Sequence, residues 1–289
     1  MSSSAPRAPG SAVRDRGFLE RPDASLYYEV TGSGPGLIFA HGLGGNHLSW
    51  WQQVPHFAGR YTCVTFSHRG FVPSRIHAGG AAAAAFADDL AALVDHLKFD
   101  RVALVCQSMG GWSGLAYAQQ APERVAALVM ASTSGRIDFT TVAEPEAQRL
   151  RQWVTDSAAA RGALAEQGVH PAVGLRGARE QPAPHFLYQQ IDRLTPPEIK
   201  ERMRAEIFGN RTQSAATLGA VKVPVLYLVG EEDVVFPAAA AEPLARLTPG
   251  ARVVRVPQSG HSVYFERPQD FNRIVDEFLA RTLGIPMRG

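Results

Sequence analysis

The stretch that decides the fold is Val102-Ala103-Leu104-Val105-Cys106-Gln107-Ser108-Met109-Gly110-Gly111. Its first five residues form a continuous apolar run, which is typical of a strand buried on both faces of a parallel sheet. The run ends at a serine and is followed by glycines. Strand, tight turn and helix are the context of the G-x-S-x-G motif, in which the serine hydroxyl stands clear of the sheet. The sequence therefore predicts a reactive Ser108 at the end of a central strand.

The motif needs small residues on both sides of the serine, because strand and helix crowd together at such a turn. Gly110 meets this need, whereas Cys106 stands where the motif usually has glycine. A thiol is slender enough for the interpretation to hold. The second cysteine, Cys63, also lies in an apolar run, so we interpret both cysteines as buried free thiols in preference to a disulfide.

Strand-like and helix-like segments alternate on both sides of this motif. One-face apolar spacing predicts helices over 86–97 and 271–279. The turn residues 31–36 are typical of a hairpin that joins the first two predicted strands. This order predicts an α/β fold with a mainly parallel sheet and helices on both faces. The predicted strands lie at 26–30, 37–40, 61–66, 102–106, 126–130, 223–229 and 253–256.

The alternation stops between about residues 135 and 220, where no strand is predicted and helices are separated by a Gly/Pro-rich link at 168–184. We interpret 136–215 as a helical cap over the carboxyl edge of the sheet. The alternative is a packing subdomain with no role at the site. Residues 17–135 and 216–289 then form the core, and 1–16, rich in Ser, Ala, Pro and Arg, are expected to be a loose tail.

The composition narrows the class of function. A net charge of +2 over 289 residues gives no reason to expect a nucleic acid or membrane partner. No apolar run approaches the roughly 20 residues of a spanning helix, and no signal peptide is evident. We expect a cytoplasmic protein, monomer or homodimer, that acts on a small molecule. No His/Cys/Asp cluster has the spacing of a metal site, so neither metal nor cofactor is expected.

A serine hydroxyl becomes a good nucleophile only beside a base. Among nine histidines, His261 follows the last predicted strand, at the edge where open α/β sheets keep their ligands. His41 is interpreted as a brace for its glycine-rich loop. A carboxylate should orient the base, and Glu231, Glu232 and Asp233 all qualify chemically. Asp233 is favoured because the apolar residues 234–237 would pack its loop inward.

A developing oxyanion needs preorganised N–H donors. One is expected from the backbone of Met109, directly after the serine. The other is expected from Leu43, in a loop whose glycines let the backbone approach a substrate closely.

Several short motifs together resemble the α/β-hydrolase superfamily in order and spacing, over roughly residues 17–283. The resemblance is strongest to small esterases, enol-lactonases, cofactor-free haloperoxidases and carbon–carbon bond hydrolases. It implies an eight-stranded sheet with a helical cap inserted after the sixth strand. The motifs are His41-Gly42, Arg69-Gly70, Ser108-Met109-Gly110-Gly111, Gly230-x-x-Asp233, and Gly260-His261 with Glu266-x-Pro268.

The sequence departs from the family pattern at three places. The loop 67–74 lacks its second glycine, so His68 could reach the cap or the pocket mouth, although a solvent-facing histidine is favoured. Carbon–carbon bond hydrolases often carry asparagine where Gln107 stands, and tryptophan after the base, which 262–265 lack. Epoxide hydrolases and haloalkane dehalogenases use an aspartate nucleophile, and Ser108 argues against both.

We predict a serine hydrolase that cleaves an ester or lactone of a small apolar substrate through an acyl-enzyme. Hydrolysis of a carbon–carbon bond in a vinylogous diketone and a non-hydrolytic oxygenase or lyase reaction remain alternatives, whereas a complete triad disfavours a silent receptor. The pocket is expected to be apolar, with few polar anchors and no basic cluster. Its candidate side chains are Trp112, Trp153, Phe186, Tyr188, Phe208, Val235 and Val263.

Overall fold

The computed structural model describes residues 14–77, 80 and 82–285. The strands of its central sheet are β1 Arg14–Arg21, β2 Ala24–Gly32, β3 Gly36–Ala40, β4 Thr62–Phe66, β5 Val102–Gln107, β6 Val125–Ala131, β7 Val225–Gly230 and β8 Arg252–Val256. Their order in the sheet is β1-β2-β4-β3-β5-β6-β7-β8, and a two-residue strand, Arg75–Ile76, pairs with β2 as a ninth.

The sheet is mainly parallel, as predicted, because every pairing from β4 to β8 runs parallel. The predicted hairpin between β2 and β3 is wrong. β4 lies between these two strands and pairs antiparallel with β2. The residues 14–16, which were assigned to the loose tail, belong to β1, because the chain pairs with β2 from Arg14 onward. The rest of that predicted tail, 1–13, lies outside the described residues.

Helices cover both faces of the sheet, as predicted. One face is covered by α2, α3 and α8, whose Leu90, Leu115 and Leu244 pack against strand residues such as Leu104. The other face is covered by α1, α9 and α10. Both cysteines are buried free thiols. The helices are α1 Val54–Phe57, α2 Phe86–His96, α3 Gly110–Gln120, α8 Ala241–Leu247, α9 Val263–Glu266 and α10 Pro268–Leu283.

Between β6 and β7 the chain forms four helices, which we call the cap helices: α4 Glu146–Glu166, α5 Gly174–Glu180, α6 Pro182–Leu194 and α7 Pro197–Gly209. The prediction that this segment contains no strand is wrong. Ile137–Asp138 and Gln213–Ser214 pair in parallel at its base. Most of the stretch interpreted as a link is helical, since it contains α5 and the start of α6. Prolines and glycines at helix ends produced the misleading composition.

Candidate active site

Ser108 lies at the turn between β5 and α3 with a left-handed φ of 50°. Its N–H donates to the Ala131 carbonyl over 3.0 Å, which fixes the turn against β6. A Cβ at Gly110 would overlap the Ala40 carbonyl oxygen, so only glycine fits there. The Cys106 thiol fills the space beside Gly114, where a Cβ would overlap its sulfur. A small residue on the helix therefore compensates for the cysteine in the motif.

His261 and Asp233 form a buried pair in which Nδ1 of the ring lies 2.8 Å from Oδ2 of the carboxylate. The other carboxylate oxygen accepts hydrogen bonds from the N–H groups of Val235 and Phe236, at 2.7 and 2.8 Å. This arrangement requires an N–H on Nδ1, which leaves Nε2 as the hydrogen-bond acceptor of the neutral ring. The predicted base and acid are thus brought together.

The two neighbouring glutamates face the surface. Glu232 forms an ion pair with Arg176 at 2.9 Å, and Glu231 lies 3.8 Å from Arg255. The apolar residues after Asp233 do pack inward, since Phe236 is buried. The structure therefore places one carboxylate of the three beside His261.

Ser108 and His261 line the same cavity, which has a volume of about 420 Å³. No hydrogen bond joins the serine hydroxyl to the His261 ring among the residues that the structure describes. In free enzymes such contacts are often long and shorten only when substrate binds. The candidate nucleophile and the candidate base therefore share one cavity.

Leu43 and Met109, the predicted oxyanion donors, both line this cavity. Neither backbone N–H donates a hydrogen bond to another described residue. Each can therefore donate one to an oxygen atom of a substrate. The loop of Leu43 approaches the serine closely, because a Cβ at Gly42 would lie 3.1 Å from Cβ of Ser108 and would overlap the Gln107 amide oxygen. The two N–H groups and the serine thus lie around one space.

His41 braces its loop, in agreement with the interpretation from sequence. Its Nδ1 donates to the Gly42 carbonyl over 2.7 Å, and its Nε2 accepts the N–H of His68 over 2.9 Å. Both partners suit a neutral ring, and burial lowers the pKa of His41 to about 3. The expectations for His68 are wrong, because its side chain is buried between Phe66 and Phe86 and bonds to Ser113. The ring lies neither at the pocket mouth nor in solvent.

Glu266 is a site residue to which the sequence reasoning gave no role. Its carboxylate accepts the N–H of Gly260 over 2.9 Å and of Ser262 over 3.2 Å, on either side of His261. Burial raises the pKa of Glu266 to about 8, and the two backbone hydrogen bonds oppose that rise. The Glu266-x-Pro268 motif was the available signal. Its position five residues after the histidine is a signal for a carboxylate that holds the turn.

Five of the seven candidate side chains line the cavity, namely Trp112, Trp153, Tyr188, Phe208 and Val235. The prediction is wrong for the other two. Phe186 is 62% exposed, because it occupies the outer side of α6, opposite the buried Tyr188. Val263 is buried in the core under the sheet with Phe265 and Phe271, since α9 turns it away from the cavity.

The expectation that the pocket contains no basic cluster is also wrong, although much of its lining is apolar. Arg161, Lys200, Arg204 and Arg211, all from the cap segment, line the cavity together with Asp192. They are spread over 50 positions of the sequence and converge only through folding. Within the described ranges, no group of three or more His, Cys, Asp or Glu side chains could hold a metal ion. No helix there combines the length and apolarity that crossing a bilayer requires.

Comparison with known proteins agrees with the fold described above. The family model described as the alpha/beta hydrolase fold matches residues 35–268. The chain is 26% identical to 3-oxoadipate enol-lactonase 2 of Acinetobacter baylyi, over 91% of this chain and 96% of that protein. It is 29% identical to a putative non-heme bromoperoxidase of Mycobacterium tuberculosis, over 89% and 98% of the two chains. A thermophilic esterase from Thermogutta terrifontis superposes with a TM-score of 0.73 at 26% identity, covering 93% and 99%.

Proposed function

Because the chain belongs to the alpha/beta hydrolase fold family, we propose that it is a serine hydrolase with Ser108 as nucleophile, His261 as base and Asp233 as the acid that orients the base. The observation that carries this proposal is the buried His261–Asp233 pair, whose histidine lines the same cavity as Ser108. Ser108 itself lies in a strained turn. A serine whose backbone adopts the left-handed conformation costs free energy of order 1–3 kcal/mol, and residues strained in this way cluster at functional sites. The esterase and the enol-lactonase among its relatives support an ester or lactone as substrate.

In the proposed reaction, Ser108 Oγ attacks the substrate carbonyl while Nε2 of His261 accepts the hydroxyl proton. The resulting imidazolium is stabilised by Asp233, and the oxyanion is bound by the N–H groups of Leu43 and Met109. His261 then donates the proton to the leaving oxygen, which yields an acyl-enzyme. Water, deprotonated by the same ring, hydrolyses that intermediate and restores the serine.

The cap helices have a proposed role in this scheme, namely to form the roof of the acyl site. Trp153, Tyr188 and Phe208 reach the cavity from three different helices. Tyr188 also lies close to the loop of Leu43, since a Cβ at Gly44 would lie 3.1 Å from its hydroxyl oxygen. Cap and loop therefore approach each other closely at the cavity of Ser108.

The test is turnover of a panel of 4-nitrophenyl esters, lactones and vinylogous diketones by the wild-type protein and by Ser108→Ala. We expect wild-type hydrolysis of at least one ester or lactone, and a loss on the order of 10⁴-fold or more in the folded variant. Turnover of diketones alone would replace ester hydrolysis by carbon–carbon bond hydrolysis. Equal activity of wild type and variant would reject the serine mechanism.

A further inference from the structure

The four basic side chains at the cavity differ in their partners. Nζ of Lys200 lies 2.8 Å from Oδ2 of Asp192, and Arg204 forms an ion pair with Glu201. Nη1 of Arg161 donates to the Ser157 hydroxyl over 2.8 Å and to the Val234 carbonyl over 3.1 Å. The guanidinium of Arg211 forms neither a hydrogen bond nor an ion pair with any residue in the described part of the chain.

Two aromatic rings hold the Arg211 guanidinium in place. Its Cζ lies 5.3 Å from the ring centre of Phe139 and 5.5 Å from that of Phe208. Its Nε is buried without an acceptor. Rings attract a guanidinium through their faces and leave its N–H donors unused. The planar guanidinium is thus fixed in position, while its N–H groups donate to no acceptor among the described residues.

The acidic group whose charge acts on Arg211 is Asp138. One oxygen of that carboxylate is engaged by the N–H and the hydroxyl of Thr140, at 2.9 and 2.7 Å. Asp138 and Arg211 form no ion pair within the described ranges. Burial lowers the pKa of the guanidinium, and Asp138 raises it. This direction is the one expected of an enclosed cation that lacks a full counter-charge.

Arg211 belongs to the wall that leads to the triad. The Phe139 ring on which it rests contacts the Phe236 ring, with centroids 5.7 Å apart. The N–H of Phe236 in turn donates to Asp233. A ligand that touches this wall can therefore have one end at Arg211 and its other end toward Ser108.

An enclosed charge is costly unless an opposite charge meets it. The fork of a guanidinium matches a carboxylate through two parallel hydrogen bonds. Arg161 also lacks an acidic partner, but its guanidinium is held by the Ser157 hydroxyl and the Val234 carbonyl. The guanidinium of Arg211, without a hydrogen-bond partner among the described residues, fits the single charge of a carboxylate better than the double charge of a phosphate monoester. We propose that the substrate is an ester or lactone that also carries a carboxylate, and that Arg211 binds this carboxylate. This inference rests on the proposed function and names its substrate class.

The experiment compares an anionic with a neutral ester of similar length, 4-nitrophenyl hemiglutarate and 4-nitrophenyl valerate. Both are assayed with wild type, Arg211→Gln, Arg211→Lys and Arg149→Gln. Arg149 is an exposed arginine of α4 that does not line the cavity. We expect Arg211→Gln to lower kcat/KM for the anionic ester by about 10- to 100-fold, as the loss of a charge-assisted hydrogen-bond pair predicts. The neutral ester should change less than about 3-fold.

Arg211→Lys should restore part of the preference for the anionic ester, because lysine keeps the positive charge but cannot form the two parallel hydrogen bonds of a guanidinium. Arg149→Gln should leave both rates unchanged, and glutarate should inhibit wild type better than inorganic phosphate does. Equal changes on the two esters in Arg211→Gln, or stronger inhibition by phosphate, would overturn the carboxylate assignment. Ser108-dependent hydrolysis of both esters with no effect of Arg211 overturns this inference alone. Cleavage of other esters or lactones but of neither of these two also overturns this inference alone. Failure of wild type to cleave any ester or lactone through Ser108 overturns the proposed function with it.

Discussion

Nδ1 of His261 lies 2.8 Å from Oδ2 of Asp233, while the adjacent Glu232 forms an ion pair with Arg176 at the surface. Asp233→Asn should therefore lower kcat on the order of 10³- to 10⁴-fold, because the amide removes the charge behind the ring and selects the wrong tautomer. Glu231→Gln and Glu232→Gln are the matched controls and should stay within a few-fold of wild type. Steady-state kinetics on an aryl ester measures all three. A larger loss in either glutamate variant than in Asp233→Asn would refute the assignment.

Glu266 should act as a positioning residue, because its two oxygens hold the N–H groups of Gly260 and Ser262 around His261. An amide has one acceptor oxygen, so Glu266→Gln leaves one buried N–H unpaired, at a cost of about 1–3 kcal/mol. We expect kcat to fall about 10-fold and the pH–rate profile of the enzyme to shift, with KM nearly constant.

The control for Glu266 is Glu180→Gln, which removes an exposed carboxylate that pairs with Arg267 and Arg176. It should leave kcat and the pH profile unchanged. If Glu266→Gln lowers stability but keeps both the rate and the profile of wild type, Glu266 supports the fold only and does not position the base.

Buried neutral His41 should make the protein sensitive to acid. The pKa of His41 is about 3 in the folded state, below its ordinary value of 6.5. As pH falls below about 6.5, the unfolded chain therefore takes up a proton that the folded chain does not, and the free energy of unfolding decreases. One such proton contributes up to about 1.4 kcal/mol per pH unit. Above that range the contribution is fully present.

Chemical denaturation between about pH 4 and 7 tests this linkage. His41→Gln should lower stability overall but flatten the decline of unfolding free energy toward acid. His77→Gln, which removes an exposed histidine, should keep the slope of wild type. An unchanged slope in His41→Gln would show that the ring is protonated in the folded protein, contrary to its two hydrogen bonds.

The cap aromatics should choose among acyl groups. Trp153→Ala and Tyr188→Ala enlarge the cavity, so the ranking of acetyl, butyryl and benzoyl esters should change by about 1–3 kcal/mol in discrimination. Phe186→Ala is the matched control, since that ring is 62% exposed and lies outside the cavity. Its ranking should equal that of wild type. A uniform loss on every ester would indicate destabilisation, and an unchanged ranking in both cavity variants would refute selection by the cap.

The sequence predicts those parts of the molecule that depend on local pattern. Short segments rich in apolar and aromatic residues predict the strands from β2 to β8, and the turn around Ser108 follows from one strand and the small residues behind it. β1 was missed because its sequence, RDRGFLER, is mostly charged. Such a strand is stable at the sheet edge only through its pairing with β2. The false hairpin has a similar cause, since turn residues do not reveal that β4 comes between two consecutive strands.

The cap was harder to predict, because its side chains are oriented by packing between helices. Phe186 and Tyr188 lie two positions apart on α6, and only the fold decides that the second faces the cavity. Arg211 could not be recognised from sequence either. It follows the last cap helix among other scattered arginines, and its lack of an ion pair with any described residue is a property of the folded structure.

The central claim, that Ser108 is an activated nucleophile, is tested most directly by covalent labelling with a fluorophosphonate and mass mapping of the modified peptide. We expect one adduct per chain on Ser108, because the probe reacts with a serine that a neighbouring base activates. Labelling should be lost in Ser108→Ala and slowed on the order of 10³-fold or more in a folded His261→Ala variant. No adduct on wild-type protein, or an adduct on another residue that persists in Ser108→Ala, would contradict the claim.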